Sequence, residues 1–591
     1  MSDAAPEMAP TASPHISVVL VTYNRAFLLP RTLPTVLQQD IPREDYELIV
    51  VVDGSGDGTI EYLRSVEPRC RMLVIEQPNL GAAAARNAGL RQARGAIVLL
   101  MDDDILCPPW LLRRHLEAHR GHANRIVYGA TNTAEQSPRT LAADLTRKSS
   151  SEATARLDGG APRAGAEFAV DPNSSLPRSL IMEIGGFDES FRDSRETNEL
   201  ALRLRTAGAE FHYIRDAGVD ELYVKSAKRL GRDDAFAAGV NEIRLRCKHP
   251  RYKAESVLAN IAEGSALRRS LRRAAATLRG ADSLAALPMQ LFESLRAMPK
   301  AREAGIQLLQ WRQGINLYRG AVSAAGSWHR LVDEFGATLP CLIYHHIGPS
   351  RRGTFPELTI APAMFERHLQ WLRGWGYQGI TPSQWARWRI GRESLPRRPV
   401  MLTFDDGYAD TAEHGFPLLK KYGFPATVFA VPGELGGTNR WDEPLGSASH
   451  RLMDEDQIRY WAANGIEVGA HSLTHPDLTG LSAQQARHEI ERSGYLLADV
   501  IGRPITSFAY PYGYCDSQSE AIARSCFDLA FTTLEGRNSL ATNPHRLRRT
   551  MVLPNDRRVD LLSRLRLGYS LRHRSVGRLA RLRSRLLGRS M

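Results

Sequence analysis

The run Val400-Met401-Leu402-Thr403-Phe404-Asp405-Asp406-Gly407-Tyr408 decides how the second half of the chain is read. The apolar residues after Pro399 predict a buried strand, and a run of that kind bounded by breakers belongs to a parallel sheet more often than to a hairpin. Two adjacent carboxylates stand where the strand ends. Neighbouring strand residues point to opposite sides, so Asp405 and Asp406 can take different jobs, one holding a metal and the other a proton. Further on, Ile466 to Gly469 again reads as a short strand and runs into His471-Ser472-Leu473-Thr474-His475, whose two imidazoles can reach one ion. A third strand, Ile505 to Ala509, empties into Tyr510-Pro511-Tyr512-Gly513, a rigid turn able to present a backbone N–H to a developing oxyanion. All three pieces lie at carboxyl ends of strands, the face on which parallel α/β barrels carry their chemistry.

Each signal alone is weak, because an Asp-Asp after a strand is usually a turn or a cap and a His-x-x-x-His is usually incidental. Their order is what carries information. Thr-Phe-Asp-Asp, then His-Ser-x-x-His, then Tyr-Pro-Tyr-Gly resembles the polysaccharide deacetylase family, the chitooligosaccharide deacetylase homology domain, over residues 338–556. Leu342-Ile343-Tyr344-His345-His346-Ile347 looks like the start of that domain in its surface-polysaccharide branch. The resemblance implies a distorted (β/α) barrel over 337–556 that removes acetate from an N-acetylated saccharide. It implies a divalent ion, zinc or similar, on Asp406, His471 and His475, an open site of the catalytic kind. Asp405 would be the base, the Tyr512 N–H an oxyanion donor, and Tyr510 and Pro511 part of the substrate wall. Two positions depart from the pattern. Ala509 stands where many members place an arginine that orients the base, and no Leu-x-His between the Tyr-Pro-Tyr-Gly turn and residue 556 supplies the general acid. His545 is the nearest candidate acid, and His345 and His346 are the alternative from the first strand, where Tyr344-His345 reads equally well as packing.

A chain of 591 residues exceeds what one core usually serves, so two or more domains are expected. The six cysteines form no Cys-x-x-Cys pair and no framework spacing, which fits reduced thiols. Residues 1–14 read as a disordered start without the basic and apolar regions of a signal peptide, and no stretch of about 18 apolar residues is present. The expectation is a cytoplasmic protein, peripheral to the inner face of a membrane.

The first half alternates strand and helix: strands at Ile16 to Val21, Glu47 to Val52, Met72 to Ile75 and Ala96 to Met101, with helices between. That pattern predicts a doubly wound parallel sheet whose ligands bind beyond the carboxyl ends of its strands. At those ends stand Thr22-Tyr23-Asn24-Arg25, Asp53-Gly54-Ser55 and Asp102-Asp103-Asp104, with no Gly-x-Gly-x-x-Gly for a dinucleotide. An Asp-x-Asp at a strand end suits magnesium or manganese bridging a diphosphate. Asn79-Leu80-Gly81, Ala85-Arg86-Asn87-Ala88-Gly89, the acidic triplet and Gly185-Gly186-Phe187-Asp188-Glu189 together are similar to family 2 glycosyltransferases of the GT-A fold, over residues 15–225. The resemblance implies a nucleotide-sugar donor over the strand ends, near Asn24 and Arg86, with Asp53 at the nucleoside and Asp102 and Asp104 at the metal-diphosphate. Members commonly carry Glu-Asp-x-Glu-Leu after the glycine pair, the Asp being the base; here the letters are Glu196-Thr197-Asn198-Glu199-Leu200. Threonine cannot be that base, so Glu196 substitutes or the domain binds without transferring. Asp216 to Glu221 brings acids where relatives often have a histidine near the metal, and Val52 replaces an acidic residue.

Residues 226–336 predict a helical connector, with helices over Glu255 to Ala262, Ala266 to Leu278, Ser283 to Met298 and Arg302 to Tyr318. Arg557 to Met591 holds eleven arginines and one acid, Asp560, and so carries +10 of the formal +12. Leucines recur there at near-helical spacing, broken at Gly568 and Gly577, which predicts two amphipathic helices that would bring the sites to a lipid-linked saccharide on an anionic membrane surface, the alternative being a disordered basic tail. No folded nucleic-acid-reading module is found. Two functions stay open: a bifunctional enzyme, deacetylase and glycosyltransferase, or a deacetylase whose first domain only binds nucleotide or glycan.

Overall fold

The computed structural model of the protein describes residues 13–160, 172–192, 194–278, 280–286, 288–349, 358–445 and 449–572. Most of the N-terminal stretch expected to be disordered (1–12) and the last part of the basic tail (573–591) lie outside the described residues. The chain divides into two compact units, one made of residues up to 258 with 265–331, the other of 259–264 with residues from 332 on.

In the first unit Ile16–Thr22 lies at the centre of a seven-stranded sheet, parallel to Tyr46–Asp53 on one side and Ile97–Asp102 on the other. Arg71–Gln77 continues the parallel set beyond Tyr46–Asp53. Side chains alternate as strand geometry requires. Val18, Leu20, Leu48 and Val50 pack under the helix Leu29–Leu37, whereas Val19, Ile49 and Val51 face the helix Ala82–Gln92. Each strand therefore feeds two core layers, which is why its sequence is apolar without interruption. Beyond Ile97–Asp102 the sheet departs from the parallel expectation: Ser174–Pro177 runs antiparallel, followed by Arg125–Tyr128 and Glu210–Tyr213. The short strand Val219–Glu221 pairs with Ile105–Leu106 and so returns to the acidic triplet.

Most of the segment read as a connector, residues 226–258 and 265–331, belongs to the first unit. The helix Ala235–Lys248 lies along the helix Pro299–Ala325, and the two approach through glycines. A Cβ on Gly239 would stand 1.9 Å from the Leu317 oxygen, and one on Gly320 2.0 Å from the Phe236 oxygen. Met289, Ile306 and Leu309 share a core with Leu141. Two helix expectations fail locally. Val257–Ala262 is a 3-10 turn, and Ser283 to Met298 is broken into Ala281–Ala286 and Met289–Ser294 because Pro288 ends one helix and caps the next.

The second unit is a curled parallel sheet in the order Leu529–Phe531, Ser507–Ala509, Ile466–Ala470, Ala426–Ala430, Pro399–Phe404 and Leu339–Tyr344. Thr550–Met551 pairs parallel to Leu339–Tyr344, and Leu547 bridges Phe531, so the segment around 547–551 links both ends of the curl. Leu342, Phe404, Val428 and Phe508 fill the centre, and Phe365, Phe416 and Ile490 come in from the surrounding helices. The helix Arg558–Leu567 corrects the reading of the whole basic tail as membrane-facing. Leu561 and Leu565, one turn apart, are fully buried in this core, and buried Arg564 is held by Asp556 at 2.7 and 3.1 Å. The expected break at Gly568 is there, with φ 81°.

Candidate active site

Pro399–Phe404 ends beneath Asp405 and Asp406, Ile466–Ala470 beneath His471, and Ser507–Ala509 beneath the Tyr510 turn, so the three motifs meet at one end of the curled sheet. His471 Nε2 and His475 Nε2 each stand 3.4 Å from Asp406 Oδ1. One ligand atom from each of the three residues lies within 4.8 Å of the others, and this is the single group of that kind among the described residues. The backbone is bent to achieve it. Asp406, Ser472, His475 and Tyr512 all have φ between 57 and 70°, four of the seven non-glycine residues at positive φ among those described. Such conformations cost of order 1–3 kcal/mol each and persist where the surroundings enforce them. Here Ser472 Oγ accepts the His475 N–H at 3.0 Å, while Glu489 accepts the N–H groups of Leu473 and Thr474 at 2.9 Å.

Whether these residues suit a divalent cation can be judged from their hydrogen bonds. The Ala509 carbonyl accepts from His471 Nδ1 at 2.7 Å, which leaves the Nε2 lone pair facing the Asp406 carboxylate. Two imidazole lone pairs and a carboxylate oxygen converging in a buried site repel one another unless a positive charge sits among them. The charges agree. Burial pushes the His471 imidazole down, but the Asp406 hydrogen bond and the two carboxylates outweigh it and the net shift is upward. Burial opposes ionisation of Asp406 as well, yet the two histidines hold its carboxyl well below the usual range. The residues fit a divalent cation.

Asp405 is built differently. Its two oxygens accept from Arg549 Nη1 at 2.6 Å and Nη2 at 2.9 Å, and Arg549 has no exposed surface. That guanidinium also donates to the Thr532 carbonyl and to Thr403 Oγ1, and lies over the adjoining rings of Phe429 and Phe531. Burial raises the Asp405 carboxyl, and the charges of Arg549, His471 and His345 more than reverse this. The arginine absent at Ala509 is thus supplied from the segment that joins the two ends of the sheet. A doubled arginine running into the short strand Thr550–Met551 was the available signal.

Other expectations divide. Tyr510 is fully buried and its hydroxyl donates to the His545 carbonyl at 3.1 Å, and Pro511 is buried too, so these two side chains shape the turn instead of lining a substrate wall. Tyr512 is half exposed, its ring edge-on to His475 at 4.7 Å. Trp441, which carried no signal in the sequence, stacks on the His475 ring at 4.5 Å. His545 is not brought to the cluster: its Nε2 is bonded to the Phe527 carbonyl, ahead of the strand Leu529–Phe531 and so at the wrong end of the sheet. His346 stacks on Tyr408 at 3.5 Å with Nδ1 2.9 Å from Asp410. His345 feels the same carboxylate pair: Asp406 and Asp405 pull its pKa up, but burial outweighs them and the net shift is downward.

In the first unit the predicted residues gather more loosely. Arg86, nearly fully buried, spans Glu196 Oε1 at 2.8 Å and Asp102 Oδ1 at 3.0 Å, so one guanidinium ties Glu196 to the acidic triplet. Burial drives the Asp104 carboxyl well above its usual range, reinforced by Glu221, Asp102 and Asp103. Asp103 is raised to about 6, mainly by burial and against the pull of Arg25. Hard oxygen ligands that resist sharing one charge are a fit for magnesium or manganese. Asp53 spends both oxygens on the loop that follows, accepting from Gln77, Leu80 and Gly81 at 2.7 to 2.9 Å. Asn24, at φ 53°, accepts the Gly56 N–H and so holds the neighbouring loop.

Comparison with known proteins follows the same division. The polysaccharide deacetylase family model matches residues 392–527, and the glycosyl transferase family 2 model matches 17–183. The Bacillus subtilis (strain 168) protein named "Putative polysaccharide deacetylase YxkH" is 31% identical over 223 residues, 37% of this chain and 74% of that protein. Validoxylamine A glucosyltransferase of Streptomyces hygroscopicus subsp. jinggangensis (strain 5008) is 32% identical over 268 residues, 40% of this chain; the chain spans 61% of that relative's length. Among solved structures, the Streptococcus pyogenes deacetylase PplD in complex with acetate is 28% identical, covering 38% of this chain and 97% of that one, with a TM-score of 0.34. The chain belongs to the polysaccharide deacetylase family, and its deacetylase domain is fused behind a family 2 glycosyltransferase domain.

Proposed function

We propose that the second unit is a metal-dependent N-deacetylase of an acetylated saccharide and that the first unit transfers a sugar from a nucleotide-diphosphate donor. The observation that carries the first half is the convergence of Asp406, His471 and His475 beside a carboxylate, Asp405, held by a buried arginine. A divalent ion on Asp406, His471 and His475 would lower the pKa of a water molecule toward about 7 and polarise the acetamide carbonyl. Asp405, kept ionised by Arg549, takes the proton of the attacking water on the carboxylate lone pairs that Arg549 leaves open. Arg549 is a positioning residue; its bidentate grip fixes the carboxylate plane. The Tyr512 N–H is the proposed donor to the oxyanion. Collapse to acetate needs a proton on the departing nitrogen, and His345, beside the carboxylate pair, is the proposed source in place of His545.

In the first unit the proposal puts the donor diphosphate at Asp102 and Asp104 with magnesium or manganese, and makes Glu196 the base toward the acceptor. A second reading, binding without transfer, is favoured by one observation: the Glu196 carboxylate is already paired with Arg86. The substrate reading extends to lipid-linked saccharides, and the six arginines and no acids of residues 573–591 suit electrostatic contact with an anionic membrane. Purified full-length protein, stripped with chelator and reloaded with zinc, cobalt or manganese, is assayed for acetate release from N-acetylated oligosaccharides and, separately, for nucleotide release from nucleotide sugars. Acetate release unaffected by chelation overturns the deacetylase mechanism, and nucleotide binding with no release over any acceptor decides for the second reading.

A further inference from the structure

Leucines on the surface of the first unit point the wrong way for a water-facing protein. Of the twenty-two large apolar side chains exposed among the described residues, seven lie between Leu267 and Met298. Single exposed leucines are ordinary, but a concentration of this kind marks a contact surface. The helix Ala266–Thr277 is the clearest case. Leu267, Leu271, Ala274 and Leu278 recur at i, i+4, i+7 and i+11, one stripe at about 100° per residue. This stripe is turned to solvent, with Leu267 68% and Leu271 58% exposed. The face packed on the helix Pro299–Ala325 is the opposite one, where Ala276 is buried and the Arg272 guanidinium lies 5.2 Å from the Tyr318 ring. An ordinary surface helix buries its leucines and wets its arginines. Met289–Ser294 repeats the anomaly: Met289 and Phe292 face the core, while Leu291, Leu295 and Met298 form a second apolar stripe on the far side.

The charge around these stripes says what covers them. Residues 265–302 contain eight arginines and lysines against two acids, and both acids are turned inward. Asp282 is held by Arg312 at 2.7 and 2.9 Å, and Glu293 accepts the Leu141 N–H. Arg296 is turned to Asp144 at 3.4 Å, and the outward surface is leucine rimmed by positive charge that includes exposed Arg268, Arg273 and Lys300. A second copy of this chain does not match it, because isologous pairing would press each arginine cluster against its own image. An anionic lipid surface does, with acyl chains for the leucines and headgroup phosphates for the rim.

We propose that the helices Ala266–Thr277, Ala281–Ala286 and Met289–Ser294 form a monotopic docking face by which the first unit lies on an anionic bilayer. The face is distinct from the basic segment 573–591 and does not depend on it. The test is vesicle sedimentation of the full-length chain with phosphatidylcholine alone and with about 30% phosphatidylglycerol, in low and high salt. The comparison is Leu271→Glu/Leu295→Glu against Arg578→Gln/Arg581→Gln/Arg583→Gln/Arg585→Gln. Leu271 and Leu295 are exposed, and unchanged acetate release from a soluble substrate verifies folding of both variants. The expected result is that Leu271→Glu/Leu295→Glu lowers partitioning onto anionic vesicles at least about tenfold, while the tail variant keeps a salt-resistant fraction bound. The inference is overturned by equal pelleting of wild type and Leu271→Glu/Leu295→Glu, by no pelleting of either, or by a vesicle-free dimer that Leu271→Glu/Leu295→Glu dissociates.

Discussion

The two acid clusters of this chain solve opposite problems. In the second unit each carboxylate has its own dedicated partner, Arg549 for Asp405 and the two histidines for Asp406, and the positions are fixed by strand ends and buried side chains. In the first unit one guanidinium, Arg86, is shared between Asp102 and Glu196, while Asp104 is crowded by Glu221 and its own neighbours. The first arrangement needs one cation to be complete. The second carries unresolved like charge and has Glu196 tied to Arg86, so under the proposed function a metal-diphosphate would have to redistribute those contacts. Preorganisation lowers the cost of reaching a transition state, so the deacetylase centre is expected to be the more active and the more sensitive to single substitutions.

The sharpest way to break that contrast is at the metal ligands. His471→Ala or His475→Ala should remove bound metal and reduce acetate release by about 1,000-fold or more, with nucleotide binding by the first unit unchanged. Metal content by mass spectrometry alongside acetate assays checks both halves. Loss of nucleotide binding in the same variants would show that the two clusters are not independent.

Arg549→Met comes next. Removing one partner of a buried, hydrogen-bonded pair costs about 3–5 kcal/mol, and turnover should fall about 100-fold as the base loses its orientation. Lysine should not rescue it, since the bidentate fork is what holds the carboxylate. The sign with pH follows from Asp405, whose folded pKa is depressed. Its contribution to stability is fully present above the unfolded value of about 3.9 and is lost as pH falls through the folded value. The stability gap between wild type and Arg549→Met is therefore largest near neutrality and closes in acid, while the acid limb of kcat/KM moves to higher pH in the variant. Denaturant titrations at several pH values and a pH–rate profile read these out.

The convergence of Asp406, His471 and His475 was legible because each motif is contiguous and sits at a strand end, so spacing along the chain reports spacing in the fold. Arg549 was not, because its link to Asp405 passes through the closure of the sheet, a long-range fact no local pattern encodes. The tail misled for a related reason. Leu561 and Leu565 have the same spacing on a membrane helix or a core helix, and only the pairing of Arg564 with Asp556 tells which. Pro288 was readable and decisive for the broken helix. Tyr510 and His545 were assigned to the site from motif position, although their side chains turn away from it.

In the first unit the contrast is sharpened by Glu196→Gln. Neutralising this side chain should lower nucleotide-sugar turnover about 100-fold while leaving nucleotide binding within a few-fold, because Arg86 keeps Asp102 as a partner. Calorimetry with and without manganese, beside a nucleotide-release assay, separates the effects. Full turnover in Glu196→Gln would remove Glu196 as the base and leave the open question to Thr197→Asp, which restores the common acid and should raise turnover if transfer is what the site performs.

The smallest expected effect tests where the site stops. Tyr510 stands in the same turn as Tyr512, yet one ring is fully buried and the other is half exposed against His475. Tyr510→Phe deletes one hydrogen bond and leaves the His545 carbonyl without that donor, which costs about 1–2 kcal/mol of stability. The backbone of the turn, and with it the Tyr512 N–H, is untouched, so kcat/KM for acetate release should match wild type within a factor of about two. Tyr512→Ala should do the reverse, raising KM for an oligosaccharide with little change in the unfolding midpoint, because its ring is outside the core. Equal kinetic losses in both variants would mean that the turn acts as one substrate-touching unit and that the boundary drawn at Tyr510 is misplaced.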